Sequence, residues 1–439
     1  MRTVPHLKCV LTLALLALLV APEIEAAPPC GRGKAGRLFC QLARGGKRAR
    51  LRATEKLKRL GPKMKSALVD AVMRVKTGGV GQKPTRESTI DALAQLVPAA
   101  GKHAVRDVLL LVKRDDDSYL ERVQTVLERA APTIVDPLAR ALKHREVKVR
   151  RAAARALVSA KEAGKVAVPR LIAALRDKDY LVREAAAQTL GALASVATAA
   201  IAPLKKALAD KKARVVVAAI GALGKFGDKA ASAAPLYAAL LNAKARPELR
   251  YYKRQLFQKS REALLAGGDD NIALLVKWLE AKEPLTRRLA TVTLSHLGAK
   301  AKSAVPILSA RLQKSKGGED EVATMRALAA IGKAAVSAVP LLAARLNRDD
   351  WLLRVHAAST LALFGPRAKV AVPALIAALD DKFENARANR VKAEVAKALA
   401  AIGPSAKAAL PALTRASKID DWQVKNATKR ALAAIRRKP

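Results

Sequence analysis

Residues Val166–Leu193 read VAVPRLIAALRDKDYLVREAAAQTLGAL. Val168, Leu171, Ile172 and Leu175 recur at helical spacing and mark one apolar face. Pro169 falls near the start of that helix, where a missing N–H costs least. Asp177-Lys178-Asp179 is a polar turn able to cap a following helix. Val182, Ala185, Ala186 and Leu190 then outline a second amphipathic helix. The stretch therefore reads as helix–turn–helix.

The same phrase recurs along the chain. Its proline stands at Pro137, Pro169, Pro203 and Pro235, then at Pro306, Pro340, Pro373 and Pro411, and Ala273 fills the slot between the two runs. Steps of 32 to 38 residues are the mark of stacked repeats, each contacting mainly its neighbours. Many second helices close on glycine (Gly61, Gly227, Gly298, Gly332, Gly365, Gly403), and Pro62, Pro366 and Pro404 follow at once. The expected fold is an all-α, right-handed α-solenoid over 44–439. It opens with a half-unit at 44–61, and eleven helix pairs start near 62, 102, 132, 165, 199, 229, 268, 301, 335, 367 and 405. Three departures from the period stand out: a glycine-rich turn at Thr77–Lys83, one long second helix at 243–267, and another at 382–402. Insertions in such arrays often mark a binding face.

Composition narrows the chemistry. Of 439 residues, 51% are apolar but only 3% aromatic, so the core is built from Ala, Leu, Val and Ile. The net charge is +45, from 82 basic and 37 acidic residues. Such a field attracts polyanions and resists self-association, and a monomer is expected. Two readings of the charge stand side by side: a solvated lysine-rich surface, and a selected polyanion site.

The first 26 residues read as a secretory signal, with Arg2 and Lys8 ahead of the apolar run Val10–Ala21 and Ile24-Glu25-Ala26 before the cut. A spanning helix needs about 20 apolar residues; retention as an anchor is the alternative. Residues 27–43 form a basic arm. Export leaves Cys30 and Cys40, a pair able to close a small disulfide loop in an oxidising compartment, or else two unpaired thiols. The mature protein is expected in the periplasm or outside the cell.

Pro169, Asp177 and Val182-Arg183 stand at the offsets of the HEAT repeat, and so do Pro340, Asp349 and Leu353-Arg354, and Pro411, Asp420-Asp421 and Val424-Lys425. The chain resembles the HEAT-repeat family, and Asp350-Trp351 and Asp421-Trp422 look like the variant common in bacterial repeats of the phycobilisome-lyase-like type. The resemblance implies a scaffold that binds proteins or nucleic acids along a curved surface. It also implies that the turn aspartate pairs with the second-helix arginine between repeats, which makes Arg183, Arg354 and Lys425 structural. Tyr180, Trp351 and Trp422 share one position at second-helix starts, where a hydrophobic cap is the simpler role than a binding platform.

Catalytic patterns are missing from the sequence. Of the five histidines (His6, His103, His144, His296, His356) none precedes Glu or has a second His at ligand spacing, which excludes the paired-iron chemistry of the HEAT-like deoxyhypusine hydroxylases. Trp278, Trp351 and Trp422 are too dispersed for the aromatic-plus-acid groove of the HEAT-like alkylpurine DNA glycosylases, and no bilin-lyase chemistry is legible. Motifs for hydrolases and phosphate loops do not occur. The acidic pairs Asp269-Asp270, Asp349-Asp350 and Asp420-Asp421 fit helix capping. No catalytic residue, cofactor, metal or small-molecule substrate is expected.

The candidate site is electrostatic. Arg246, Arg250, Lys253, Arg254 and Arg261 fall near one helical face, interleaved with Tyr251, Tyr252 and Phe257. Arginine forks beside aromatics suit phosphate, sulfate or carboxylate groups; a solvated helix with its aromatics turned inward is the plainer alternative. Repeat alignment places Arg151, Arg155, Arg288, Lys397 and Arg430 on the concave side of second helices, with Glu184 as an exception. The favoured partner is a protein with an acidic surface; a polyanion (nucleic acid, acidic polysaccharide or anionic membrane surface) is the second reading.

Overall fold

Four repeats of the second half begin with a stretch in which small residues recur every third position. Ala335 and Ala338 follow Gly332 at +3 and +6 and are fully buried; Ala301 and Ala304 after Gly298, Ala368 and Ala371 after Gly365, and Ala406 and Ala409 after Gly403 do the same. A period of three belongs to a 3-10 helix, which eclipses every third side chain on one face. In this computed structural model these stretches are runs of 3-10 turns, Gly298–Ala304, Gly332–Ala338, Gly365–Ala371 and Gly403–Ala409, the first, second and fourth kinked at Ala301, Ala335 and Ala406. The structure describes residues 47–59, 94, 96–99, 101–111, 117–241, 247–315, 317–380 and 385–437. The signal segment, the arm with Cys30 and Cys40, all but residues 94 and 96–99 of the helix pair expected from 62, the turn Thr77–Lys83 and Arg246 lie outside them.

The repeat proline stands at the change from 3-10 to α geometry. Pro169, Pro306, Pro340, Pro373 and Pro411 each sit at the first or second position of an α-helix. Proline there gives up an N–H that has no intrahelical partner. First helices are therefore two-part, a 3-10 turn running into an α segment, where the sequence predicts one plain helix.

All described elements are helical. The chain divides into two compact units, Met1–Ala230 and Ala231–Pro439. The first holds helix Lys47–Lys58 and four pairs, whose second helices are Asp117–Ala130, Val147–Ala156, Tyr180–Ala192 and Ala213–Lys225. The second unit holds six pairs, whose second helices are Lys253–Ala266, Pro284–Leu297, Glu319–Ile331, Trp351–Phe364, Ala386–Ile402 and Trp422–Arg436. These ten pairs follow the predicted register, with Ile272–Trp278 in the slot that lacks a proline.

Small residues set how closely second helices approach. A Cβ built on Gly191 would stand 2.7 Å from Ala222 Cα on the neighbouring helix, so only glycine fits there. Trp278 is a buried core residue.

The long helix predicted at 243–267 is corrected. Residues 242–246 lie outside the described set; Pro247–Tyr252 is a 3-10 helix, and the α-helix runs Lys253–Ala266 after a break at Tyr252 (φ −100°, ψ 4°). A 3-10 first turn is a common way into an α-helix, and its tighter pitch rotates residues out of α register. The helix predicted at 382–402 is Ala386–Ile402, started by Asn385, whose side chain accepts from the Arg387 and Ala388 N–H groups.

Candidate partner-binding surface

The turn acids do what helix starts require. Asp179 accepts from the N–H groups of Leu181 and Val182, Asp350 from Leu352 and Leu353, and Asp421 from Gln423 and Val424. Asp269 instead meets Lys300 at 3.2 Å.

A ladder of arginines ties successive repeats of the first unit. Arg150 donates through Nε and Nη2 to both Asp177 oxygens at 2.6 and 2.9 Å, and through Nη1 to the His144 and Arg145 carbonyls. Arg183 repeats the pattern one unit on, with Asp210 at 2.6 and 2.9 Å and the Asp177 and Lys178 carbonyls. Burial by itself would raise the Asp177 carboxyl. The Arg150 hydrogen bond, the Asp179 N–H and the charges of Arg150 and Arg183 outweigh it and hold the group below the usual carboxylate range. Arg183 is thus structural, as the resemblance implies. Lys425 departs from the ladder: it pairs at 2.7 Å with Asp420 of its own turn rather than with a following repeat.

A second set of arginines, not foreseen from the sequence, acts in the other unit. Arg311 donates to the Leu279 carbonyl at 2.5 Å, Arg345 to the Leu312 carbonyl, and Arg415 to Asp380 at 2.8 and 2.9 Å. Each reaches back to the C-terminal end of the preceding first helix, where a cation meets the negative end of the helix dipole. Arg345 also holds Glu321 at 2.8 Å, a carboxylate with no solvent exposure. The signal was present in the sequence, since Arg311 and Arg345 both stand five residues after the repeat proline.

The aromatics at second-helix starts share one geometry. The Lys212 ammonium lies 5.6 Å from the Tyr180 ring centre and the Arg387 guanidinium 6.0 Å from Trp351, each cation coming from the next repeat. Trp422 is 76% exposed.

The predicted basic lining divides into paired and open groups. Arg151 meets Asp179 at 3.5 Å, Arg288 meets Glu319 at 2.7 Å, and Lys397 meets Glu394 at 2.7 Å. Glu184, the expected exception, is engaged by Arg214 at 2.9 Å. Arg155 and Arg430 are exposed and have no ion-pair partner among the described residues, and Arg326 and Arg390 share that state. In the basic segment, Arg250, Lys253, Arg254 and Arg261 have no such partner either, and Tyr251 is 92% exposed. The 3-10 turn separates Arg250 from the α-helical face that Arg254 and Arg261 share.

One groove gathers several of these groups. Second helices Ala386–Ile402 and Trp422–Arg436 run side by side, and a cavity of about 530 Å³ opens between them. Arg390, Glu394 and Lys397 line it from the first helix and Trp422, Asn426 and Arg430 from the second, and the Asn389 amide donates to Asp421 at 3.4 Å, which holds the two helix starts together.

The HEAT-repeat family model matches residues 110–191, 168–251 and 338–433, more than half of the chain. The chain belongs to the HEAT-repeat family. Among solved structures it is similar to the karyopherin Kap121p bound to the extreme C-terminus of the protein phosphatase Cdc14p. That match has 12% identity and a TM-score of 0.52 and covers 99% of this chain and 54% of that one. Yeast importin-β (Kap95p) aligns with 12% identity and a TM-score of 0.50, over 91% of this chain and 60% of that one. These likenesses show the α-solenoid fold alone. The chain spans 54 to 64% of the length of the first such karyopherins it matches. The CpcE–CpcF complex of phycocyanin lyase from Nostoc aligns at 23% identity over 59% of this chain and 92% of that one. Its TM-score of 0.29 gives no support to a shared activity. No curated protein matches the sequence.

Proposed function

We propose that this chain is a non-enzymatic, exported HEAT-repeat scaffold that binds an acidic protein partner along its second helices. The observation behind this reading is the excess of open cations on those helices. Arg155, Arg326, Arg390 and Arg430 are exposed without ion-pair partners among the described residues, while Glu184 and Glu394 on those helices are already engaged. A solenoid of the same fold, Kap121p, is bound to a segment of another protein, which supports a protein partner in general. Export rests on the Arg2, Lys8 and Val10–Ala21 pattern.

A second reading has its own observation. The open cations Arg250, Lys253, Arg254 and Arg261 beside exposed Tyr251 also suit a polyanion. Salt separates the two, because contacts to a polyanion backbone release counterions and weaken steeply as salt rises. The test measures binding of poly-L-glutamate and of heparin to the purified protein between about 0.05 and 0.3 M salt, where the Debye length falls through about 8 Å at 0.15 M. The scaffold reading expects poly-L-glutamate to bind at 0.15 M salt and to survive replacement of the four cations of the 250–261 segment by Gln. Heparin binding lost in that variant alone, with no affinity for poly-L-glutamate, would establish the polyanion reading instead.

A further inference from the structure

The groove between helices Ala386–Ile402 and Trp422–Arg436 has a spacing that selects among acidic ligands. Arg390 and Lys397 are seven residues apart on one helix, about 10 Å at 1.5 Å per residue. The helix starts are level, Asn389 meeting Asp421 at 3.4 Å, so Arg430, nine residues past Asp421, stands near the level of Lys397, eight past Asn389. The two open guanidiniums, Arg390 and Arg430, therefore mark opposite ends of a channel about 10 Å long. Lys397 is shared with Glu394 at 2.7 Å, so the middle of the channel holds a neutralised pair and the Asn426 amide. A uniformly charged polyanion would place its central charge where no open cation meets it. A ligand with charge at two ends and a neutral middle would not.

An extended polyproline-type segment repeats every three residues and rises about 3.1 Å per residue, so its side chains at i and i+3 are about 9 Å apart on one edge. That matches the channel. Trp422, 76% exposed at the Arg390 end, supplies the flat aromatic surface on which proline rings dock in recognition of this conformation.

We propose that this groove binds an extended, proline-containing acidic segment of the partner, with one carboxylate on Arg390, a second three residues on at Arg430, and a proline against Trp422. This rests on the acidic-partner reading and locates it. The carboxylates accept from the guanidinium N–H groups, charge-assisted bonds that fix register as well as affinity.

The probe is a fluorescein-labelled peptide of repeated Glu-Pro-Ala triplets, compared by fluorescence anisotropy with a peptide of equal composition whose glutamates are adjacent. The triplet peptide is expected to bind about tenfold more tightly, a difference of about 1.4 kcal/mol. Arg390→Gln with Arg430→Gln is expected to remove that preference and weaken triplet binding at least about tenfold. Trp422→Ala is expected to weaken it while leaving helicity unchanged. All three side chains are exposed, so the fold is expected to persist; circular dichroism verifies it, and the single variants replace the double if it does not. Lys302→Gln with Lys369→Gln, exposed cations on the 3-10 stretches rather than the second helices, serves as control and is expected to bind as the unaltered protein does. Equal affinity for both peptides, full binding by the groove variants, or equal loss in the control overturns the proposal. If the triplet peptide binds the unaltered protein and the groove variants alike, the groove is wrong and the acidic-partner reading stands. If neither the triplet peptide nor poly-L-glutamate binds, both fall.

Discussion

Lys161 stands eight residues before Pro169, the offset at which Gly227, Gly298, Gly332, Gly365 and Gly403 stand before their own prolines. Its backbone has φ 50° and ψ −140°, beside φ 56° and ψ −130° at Gly298 and φ 69° and ψ −138° at Gly403. This is not the left-handed helical well that the sequence suggests for a helix-closing glycine. It is the mirror-extended region, which a Cβ disfavours more strongly. A non-glycine residue held there costs about 1–3 kcal/mol, against about 0.5–1 kcal/mol for the extra entropy that glycine loses on folding. Lys161→Gly is therefore expected to stabilise the first unit by about 1 kcal/mol, read as a higher urea midpoint with unchanged slope. A lower midpoint would mean that the Lys161 side chain contributes more than its backbone costs. The period of the chain shows that this position is special, since the slot can be counted. That the slot is a 3-10 junction with a mirror-extended entry follows only from the backbone itself.

At the scale of the element, repeats are joined less by their apolar faces than by what crosses the turns. The Arg150–Asp177 and Arg183–Asp210 pairs are nearly buried, with side-chain exposures of 11–15%. Removing one partner leaves the other desolvated, which costs about 2–3 kcal/mol for a charge-assisted hydrogen bond. Asp177→Asn is expected to destabilise the first unit by that amount at neutral pH. The Asp177 carboxyl lies below its unfolded value of about 3.9 when folded, so its contribution is complete above that value. It is lost as pH falls through the lower folded value. The stability gap between variant and unaltered protein should thus be flat from neutral pH down to about 5 and close below about 4; a gap independent of pH would show that the carboxylate charge is immaterial. The Arg183 rung is legible because Val182-Arg183 follows the turn aspartate Asp177; the Arg150 rung is not, because the turn before Val149-Arg150 has no aspartate of its own. The reverse set, Arg311, Arg345 and Arg415, was not read. Its residues lie on the first helices, and the targets of Arg311 and Arg345 are backbone carbonyls of the preceding repeat, which have no letter in a sequence, while Arg415 meets the Asp380 carboxylate 35 residues back. The basic segment shows the converse loss: its residues are as read, but the 3-10 turn at Pro247–Tyr252 moves Arg250 off the face that an unbroken helix would give it.

For the molecule as a whole, export has a direct check. Mass spectrometry of the protein recovered from outside the cytoplasm is expected to find an N-terminus near Ala27; an intact Met1 on that material would remove the secretory part of the proposal. Length, period, charge and repeat type were all determined by the sequence alone. They follow from intervals between residues, and a repeat solenoid is held together by near-neighbour contacts that those intervals dictate. The HEAT assignment, the ten described helix pairs and their register needed nothing more. What only the tertiary structure decided is which cations are open. On the sequence Arg151, Arg288 and Lys397 look like Arg390 and Arg430, one basic residue among many on second helices. In space the first three meet Asp179, Glu319 and Glu394, while the last two line a groove beside an exposed tryptophan. Lys397 meets its partner within one helix, at i and i+3, but for Arg151 and Arg288 the difference arises because side-chain pairing depends on the offset between adjacent helices. That offset is set by helix packing, down to the single Cβ missing at Gly191, and not by composition.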